Sequence, residues 1–313
     1  MVSENETFLI IPKPEVPDAK SSLIRTLISL VLYILISYFI FKSWTSVFLM
    51  ATILIIHESG HFLTMKLFGY QEVNMTFVPF VGAYVSGEAT KLSRRNKILV
   101  LLAGPVPGII IGLIIILNLP LLYNAELYMA GTLFLFLNVF NLLPVSPLDG
   151  GQLLETIFIN GNRVIQLAFL YLSQAIVLYI VFRYQLYSLL IIALFLFLRI
   201  LLLQSTYKLH KKLDEGEIDY HISYKDLDDE NYTLIRNVVV ENNLKLMDKY
   251  TPGVAAEDEQ NLVPYIKAVL SPYFPDKLVI GQKIFFITIW LASIIVPVYC
   301  WGLQKGFFVN WFH

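Results

Sequence analysis

The sequence predicts an all-α, multi-pass membrane protein with about seven transmembrane helices, a short membrane-associated β-hairpin and a small cytoplasmic helical insertion. Hydrophobic residues make up 57% of the chain, charged residues only 15%, and the mean hydropathy is +0.65. A soluble domain of this size carries about a quarter charged residues. Apolar runs long enough to cross a bilayer recur along the chain. Composition and pattern therefore both indicate a membrane-embedded fold.

Apolar runs of about twenty residues divide the chain into segments. The predicted spans are 22–42, 45–68, 96–119, 126–146, 163–183, 185–206 and 279–303. The corresponding organisation is an N-terminal tail 1–21, an accessory helix 22–44, a three-span core 45–160 containing a β-loop 70–90, two helices 161–206, a polar insertion 207–278, and a final helix with its tail 279–313.

Basic residues collect on one predicted side of the membrane. With seven crossings that side holds Lys13, Lys20, Lys66, Lys91, Arg94, Arg95, Lys97, Arg163, Lys208, Lys211 and Lys212. The opposite side holds little beyond Lys42, Arg183 and Lys305. The positive-inside rule makes the first side cytoplasmic. Without an organellar signal, this pattern favours a bacterial cell membrane with the N-terminus in the cytoplasm.

Charge and cysteine content exclude some function classes. The net charge is −1 and no basic stripe is present, so we expect no nucleic-acid partner. The single cysteine, Cys300, cannot form an internal disulfide. Membrane lipid is an expected partner, and the sequence leaves the oligomeric state open.

The second predicted span contains an HExxH motif, residues 57–61. On a helix, positions i and i+4 lie on one face, so His57 and His61 can bind one metal ion. Glu58 can then act as a general base for a water on that ion. Ionisable side chains are costly inside a membrane and mark a functional site by default. The alternative is a histidine pair that only hydrogen-bonds to a neighbouring helix.

Asp149 is the attractive candidate for a third ligand. It follows the fourth span in the stretch 141–151, NLLPVSPLDGG, at a depth comparable to that of the two histidines. Prolines there break the helix, and Gly150 and Gly151 permit a sharp turn. The alternative is an ordinary helix C-terminus, for which Pro and Gly are common stop signals. His210 and His221 lie in the polar insertion, and Cys300 lies at the far end of its span.

Together these motifs resemble the site-2 protease family of intramembrane zinc metalloproteases. The family pattern combines HExxH with N-x-x-P-x-x-x-x-D-G, and the segment 102–108, LAGPVPG, is similar to its glycine-proline element. The resemblance covers roughly residues 45–160. It implies one Zn²⁺ per chain, and the zinc ligands it implies are His57, His61 and Asp149.

The resemblance also implies how peptide bonds are cut. Glu58 would activate the water, and Asn141 would contact the substrate backbone near the scissile bond. The expected substrate is a transmembrane protein or peptide, cleaved in or near its membrane segment as in regulated intramembrane proteolysis. Gln152 departs from the basic residue that relatives often carry after the glycine pair.

Residues 72–90 are rich in Val, Phe, Tyr and Thr and are punctuated by Gly and Pro, which favours a β-hairpin. A substrate helix must unwind before cleavage, and its freed backbone groups then need new partners. The hairpin edge could hold the unwound segment as an added strand, with Gly82 and Tyr84 as contacts. The alternative is an interfacial loop that does not touch substrate.

The insertion 207–278 carries fourteen Asp and Glu against nine Lys and Arg between Lys208 and Lys277. Segments 232–250 and 259–270 have helical apolar spacing, which predicts a small folded unit. It could regulate substrate entry or simply stabilise the chain. Aromatic residues near the ends of the last span favour interface anchoring: Trp290, Tyr299, Trp301 and Trp311.

Two other functions remain open at this stage. A prenyl-protein type membrane zinc protease also uses HExxH but takes a downstream glutamate as ligand, for which Glu155 is the nearest option. A non-proteolytic metal transporter or scaffold would bind metal without cleaving peptides. Glu58 argues against that function, because a metal carrier needs no base there.

Overall fold

The structure is a computed structural model that describes residues 9–15, 23–78, 82–88, 93–122, 124–159, 162–271 and 276–309. These residues divide into two compact units. The membrane unit comprises the described residues of 20–196 and 275–313. The insertion unit comprises those of 1–19 and 197–274.

The membrane unit is built from helices and one hairpin. Its elements are α1 Leu23–Phe41, α2 Trp44–Leu67, β1 Gln71–Val78, β2 Gly82–Glu88, α3 Arg94–Ala103, α4 Pro105–Leu122, α5 Ala125–Asn141, α6 Asp149–Leu154, a π-helical turn Glu155–Ile159, α7 Arg163–Tyr184, a 3₁₀ turn Tyr187–Leu189, the start of α8 Leu190–Glu215, and α12 Ile280–Val309. Four short helices or turns of the insertion unit lie between α8 and α12.

The predicted fold class is confirmed. Within the described ranges, six helical stretches have the length and apolar composition to cross a membrane, and α3 and α4 together supply one of them, Arg94–Asn118. The remaining predicted span corresponds to α5, an apolar helix of 17 residues. All seven predicted apolar runs are therefore helical, and the hairpin is present as β1 and β2.

The hairpin is antiparallel, with Met75 opposite Val85 and Phe77 opposite Ala83. Backbone groups on the outer edge of β1 hydrogen-bond to side chains of α1. There the Thr26 hydroxyl donates to the Met75 carbonyl at 2.7 Å, and the Phe77 amide donates to the Ser29 hydroxyl at 3.1 Å. Backbone groups on the edge of β1 are therefore paired with side chains of α1, which protects that edge.

Close backbone contacts fix α2 against the junction of α3 and α4. A Cβ at Gly60 would lie 1.9 Å from the Ala103 carbonyl oxygen, so only glycine allows this approach. A second close contact joins α4 to α5, where a Cβ at Gly112 would lie 2.6 Å from a methyl of Leu135. Small residues of this kind let membrane helices approach each other closely.

The last span packs into the same core and is not only an interface anchor. Trp290 is 8% exposed, and its indole N–H donates to the Leu142 carbonyl at 2.8 Å. Trp301 donates to the Thr132 hydroxyl at 3.2 Å. Trp290 is therefore buried inside the protein, whereas interface anchoring by the partly buried Trp301 stays a prediction. Trp311 lies outside the described residues.

The insertion unit has a hydrophobic core of its own, as the helical spacing of 232–250 and 259–270 predicts. Its elements after α8 are α9 Asp229–Glu241, α10 Leu244–Met247, a 3₁₀ turn Glu259–Leu262 and α11 Val263–Val269.

The N-terminal segment 9–15 is part of the insertion unit. Ile11 is fully buried in the core, and its amide donates to the Thr233 hydroxyl at 2.9 Å. The Lys13 ammonium donates to the carbonyls of Tyr224 and Lys225 at 3.2 and 3.1 Å. Segments far apart in the sequence thus form one folded unit, which sequence analysis treats as separate parts.

A buried ion pair lies inside the insertion unit. The fully buried Arg236 guanidinium donates to Glu259 at 2.7 Å and to the carbonyls of Thr251 and Val254 at 3.0 and 2.7 Å. Glu259 also accepts from the Tyr232 hydroxyl at 3.0 Å. The pair is thus hydrogen-bonded to several partners, as buried charges require.

Candidate metal centre

The HExxH residues lie in the middle of α2. The helix is continuous over 24 residues, and the Ser43 side chain caps its first turn by accepting from the Ser46 amide. His57, Glu58 and His61 are 4, 5 and 8% exposed. Three polar side chains are therefore buried within about one turn of an apolar helix.

Asp149 reaches the same place from the chain that follows α5. It is the first residue of α6, where the backbone folds back on itself. A Cβ at Gly150 would lie 2.0 Å from the Leu142 carbonyl oxygen, and one at Gly151 would lie 2.5 Å from the Ser146 nitrogen. The glycine pair is needed for this close approach and not for a left-handed turn, since neither has a positive φ.

The two histidines and the aspartate form a tight triangle. His57 Nε2 lies 3.1 Å from Asp149 Oδ2, His61 Nε2 lies 3.3 Å from the same oxygen, and the two Nε2 atoms are 3.2 Å apart. These three residues make up a group that could hold a metal ion. Each residue offers one ligand atom, and the three atoms are close enough to bind a single metal ion.

The outer nitrogens of both imidazoles face hydrogen-bond acceptors. His61 Nδ1 lies 2.8 Å from the Val100 carbonyl, which can only accept, so this nitrogen carries the hydrogen. His57 Nδ1 lies 2.8 Å from Asn138 Oδ1, and the Asn138 amide nitrogen donates to the Phe134 carbonyl at 2.8 Å. When neutral, both rings therefore present an unprotonated Nε2 to the triangle.

With both rings neutral, three electron-pair donors converge with no hydrogen between them. Such an arrangement is repulsive unless a cation lies among the donor atoms. Zinc bonds of about 2.0–2.1 Å in a tetrahedron place ligand atoms about 3.3–3.4 Å apart, close to the three separations found here. The residues present fit a zinc ion with three protein ligands.

Other candidate ligands lie elsewhere in the structure. The Glu155 carboxylate, the ligand expected for a prenyl-protein type protease, accepts from the Gln166 amide at 3.3 Å. His210 and His221 belong to the insertion unit, where their rings hydrogen-bond to the carbonyls of Val269 and Ser271. The candidate metal-binding group found among the described residues does not include Glu155, His210 or His221.

The residues expected to contact substrate lie on two elements. Asn141 is the last residue of α5 and is partly buried. Gly82 opens β2 with φ +119°, a backbone conformation that favours glycine, and a Cβ there would lie 3.9 Å from a methyl of Leu54 on α2. Tyr84 is 51% exposed. Their contact with substrate stays a prediction.

Sequence reasoning missed the residues that hold the imidazoles. Asn138 lies three residues before the predicted Asn141, but only the helix phase of α5 shows that it faces His57. The Val100 carbonyl leaves no signal in the sequence, because any residue supplies one. Gly104 lies within a segment that the sequence analysis singled out, and a Cβ there would meet the His61 ring.

Fold and site define a class: a multi-pass helical membrane protein with a buried His-His-Asp centre beside a glutamate. Comparison with known families agrees, since residues 45–125 match the model of Peptidase family M50. The predicted resemblance to this family of proteases is thereby confirmed for residues 45–125.

Two curated relatives support the same class. A zinc metalloprotease from Methanocaldococcus jannaschii is 28% identical over 125 residues, which are 36% of this chain and 34% of the relative. A Synechocystis protein, whose name assigns it to the zinc metalloproteases, is 32% identical over 126 residues, 38% of this chain and 33% of the relative. The chain thus matches about a third of the length of each.

Among solved structures, the site-2 protease from Methanocaldococcus jannaschii is similar to this chain. The alignment has a TM-score of 0.41 and 21% sequence identity, and it covers 55% of this chain and 85% of that one.

Proposed function

We propose that this chain is an intramembrane zinc metalloprotease that hydrolyses peptide bonds in or near the transmembrane segments of membrane proteins. One observation carries the proposal: two imidazole nitrogens and a carboxylate oxygen converge at 3.1–3.3 Å, beside a buried glutamate. His57, His61 and Asp149 would bind the zinc. A transporter needs the metal group but not the adjacent base.

Glu58 is the proposed general base. When bound, zinc supplies a Lewis acid that polarises the scissile carbonyl and lowers the pKa of water toward neutrality. Glu58 takes the proton from the attacking water and passes it to the leaving amine nitrogen. The products are a new carboxylate and a new amine, so water is consumed and no oxidant or reductant is needed.

The free edge of β2 is the proposed docking strand for an unwound substrate. The backbone groups of Met75 and Phe77 point to α1 and not to β2. Met75 and Phe77 therefore form non-hydrogen-bonded pairs with their partners on β2. Those partners, Ala83 and Val85, therefore direct their own amides and carbonyls to the other edge. No further strand pairs there among the described residues.

The position of β2 along α2 supports this docking. Gly82 approaches Leu54, and Gly87 approaches Met65, at the two ends of the strand. The strand from Gly82 to Gly87 and the helix from Leu54 to Met65 both span about 16 Å. β2 therefore runs beside the turns of α2 that carry residues 57–61. A substrate strand added to β2 would bring main-chain bonds to the region of the metal group. Asn141 and Tyr84 would contact this substrate strand.

The proposed setting is a bacterial cell membrane, with the N-terminus and the opening of the site toward the cytoplasm. The excess of Lys and Arg on that predicted side supports this orientation. The insertion unit would lie in the cytoplasm, where its separate core and buried ion pair suit an independently folded unit that regulates substrate entry or stabilises the chain.

The test is cleavage of single-span helices by the purified full chain in detergent, with helix-breaking Gly or Pro placed near the middle of some substrates. Glu58→Gln should keep zinc and lose cleavage, whereas His57→Ala should lose both. Glu155→Gln is the matched control and should keep both zinc and cleavage. The Glu155 carboxylate accepts from Gln166 and is not part of the candidate metal-binding group.

Three outcomes would contradict the proposal. Full cleavage by Glu58→Gln would remove the general base from the mechanism. Zinc uptake into liposomes by a wild-type chain that cleaves none of the helices would favour a metal transporter instead. Loss of zinc from Glu155→Gln, with zinc kept by Asp149→Ala, would favour the prenyl-protein type of site.

A further inference from the structure

Asn138 is a polar residue that neither the motifs nor the proposed mechanism uses. It lies on α5, three residues before the end of the helix at Asn141, and its side chain is fully buried. A buried amide in a membrane helix is costly unless all of its groups find partners. Its presence therefore needs a reason beyond packing.

Both ends of the Asn138 amide are engaged. Nδ2 donates to the Phe134 carbonyl one turn earlier at 2.8 Å, and Oδ1 lies 2.8 Å from His57 Nδ1. The carbonyl of Phe134 accepts only, so it fixes which end of the amide faces the histidine. Oδ1 then accepts the Nδ1 hydrogen, so that Nε2 of the neutral His57 ring is the unprotonated nitrogen and faces Asp149.

The neighbouring helix leaves room for this amide. A Cβ at Gly108 of α4 would lie 2.1 Å from Asn138 Nδ2. Glycine at that position lets α4 approach the amide closely, so the Asn138 side chain is confined between two helices. A confined acceptor fixes the plane of the ring that it binds.

We propose that Asn138 is a positioning residue for the metal site. Its Oδ1 sets the tautomer and the orientation of the His57 ring for zinc binding. The proposal rests on zinc binding as proposed above. Acceptors on the outer nitrogen of a metal-binding histidine raise its basicity, and losing one typically lowers metal affinity about 10–100-fold. Val100 plays the corresponding part for His61 through its carbonyl.

The experiment measures zinc affinity of the full chain in detergent by competition with a chelator, and the visible spectrum of the Co²⁺ form. Asn138→Leu should raise the zinc Kd about 10–100-fold and change the Co²⁺ spectrum. Asn118→Leu is the matched control: Asn118 makes the same kind of bond to a carbonyl one turn earlier, at 2.7 Å from Ile114, on an exposed face without a histidine. It should leave both readouts unchanged.

Asn138→Asp separates positioning from packing. This variant cannot donate to the Phe134 carbonyl, but it keeps the acceptor for His57. It should therefore bind zinc within about threefold of wild type. A purely structural Asn138 predicts that Asn138→Asp also binds zinc about 10–100-fold more weakly than wild type. That result would overturn the proposal even where Asn138→Leu does not fold. Wild-type affinity in Asn138→Leu would also overturn it, while leaving the proposed protease intact. A wild-type chain that binds no zinc would instead overturn the proposed function.

Discussion

Gly104 lies directly against the imidazole of His61. An ideal Cβ at Gly104 would come 2.2 Å from His61 Nε2, which is closer than any real contact allows. That nitrogen is one corner of the candidate metal-binding triangle. The junction of α3 and α4 therefore positions the ring by close contact as well as by the Val100 hydrogen bond.

Gly104→Ala should therefore displace His61 and impair the site. Because a misplacement of about 1 Å can cost about 100-fold in rate, we expect a loss of that order in cleavage and weaker zinc binding. Gly302→Ala is the matched control, since nothing lies within 4 Å of a Cβ on that glycine of α12. Cleavage and zinc affinity of the two variants should be measured side by side, and equal values would show that His61 tolerates the methyl group.

Val85→Pro should weaken substrate docking without breaking the hairpin. The Val85 amide points to the free edge of β2, where proline removes a donor but no existing ladder bond. Loss of one main-chain hydrogen bond of about 1 kcal/mol corresponds to about fivefold in cleavage efficiency. Val85→Ala keeps the amide and serves as the control. Cleavage at the wild-type rate by Val85→Pro, with zinc retained, would mean that substrate does not pair with this edge.

Glu259→Ala should unfold the insertion unit. It leaves the fully buried Arg236 without its carboxylate partner, and removing one partner of a buried pair costs about 3–5 kcal/mol. Limited proteolysis of the full chain should then cut within residues 229–269, whereas Glu257→Ala, at an exposed carboxylate, should stay resistant.

The same pair of variants separates the two roles open to the insertion unit. A regulatory unit predicts a changed cleavage rate for Glu259→Ala at equal zinc content. A stabilising unit predicts an unchanged rate for the fraction of protein that remains folded.

Much of the fold and the outline of the site follow from local sequence. Each membrane helix is specified by its own apolar run, because a helix satisfies its backbone hydrogen bonds within the segment. The spacing of His57 and His61 likewise follows from helix geometry alone. Sequence also singles out Asp149, because prolines and glycines mark a break in an otherwise helical pattern.

Only the tertiary structure decided which groups surround those motifs. The partners of the two imidazoles, Asn138 and the Val100 carbonyl, come from other helices, and a backbone carbonyl has no signature in sequence. Trp290 hydrogen-bonds to Leu142 instead of anchoring at the interface, and Ile11 lies in a core formed by residues more than 200 positions away. Such contacts depend on how helices pack, whereas residue spacing determines only what lies on one helix.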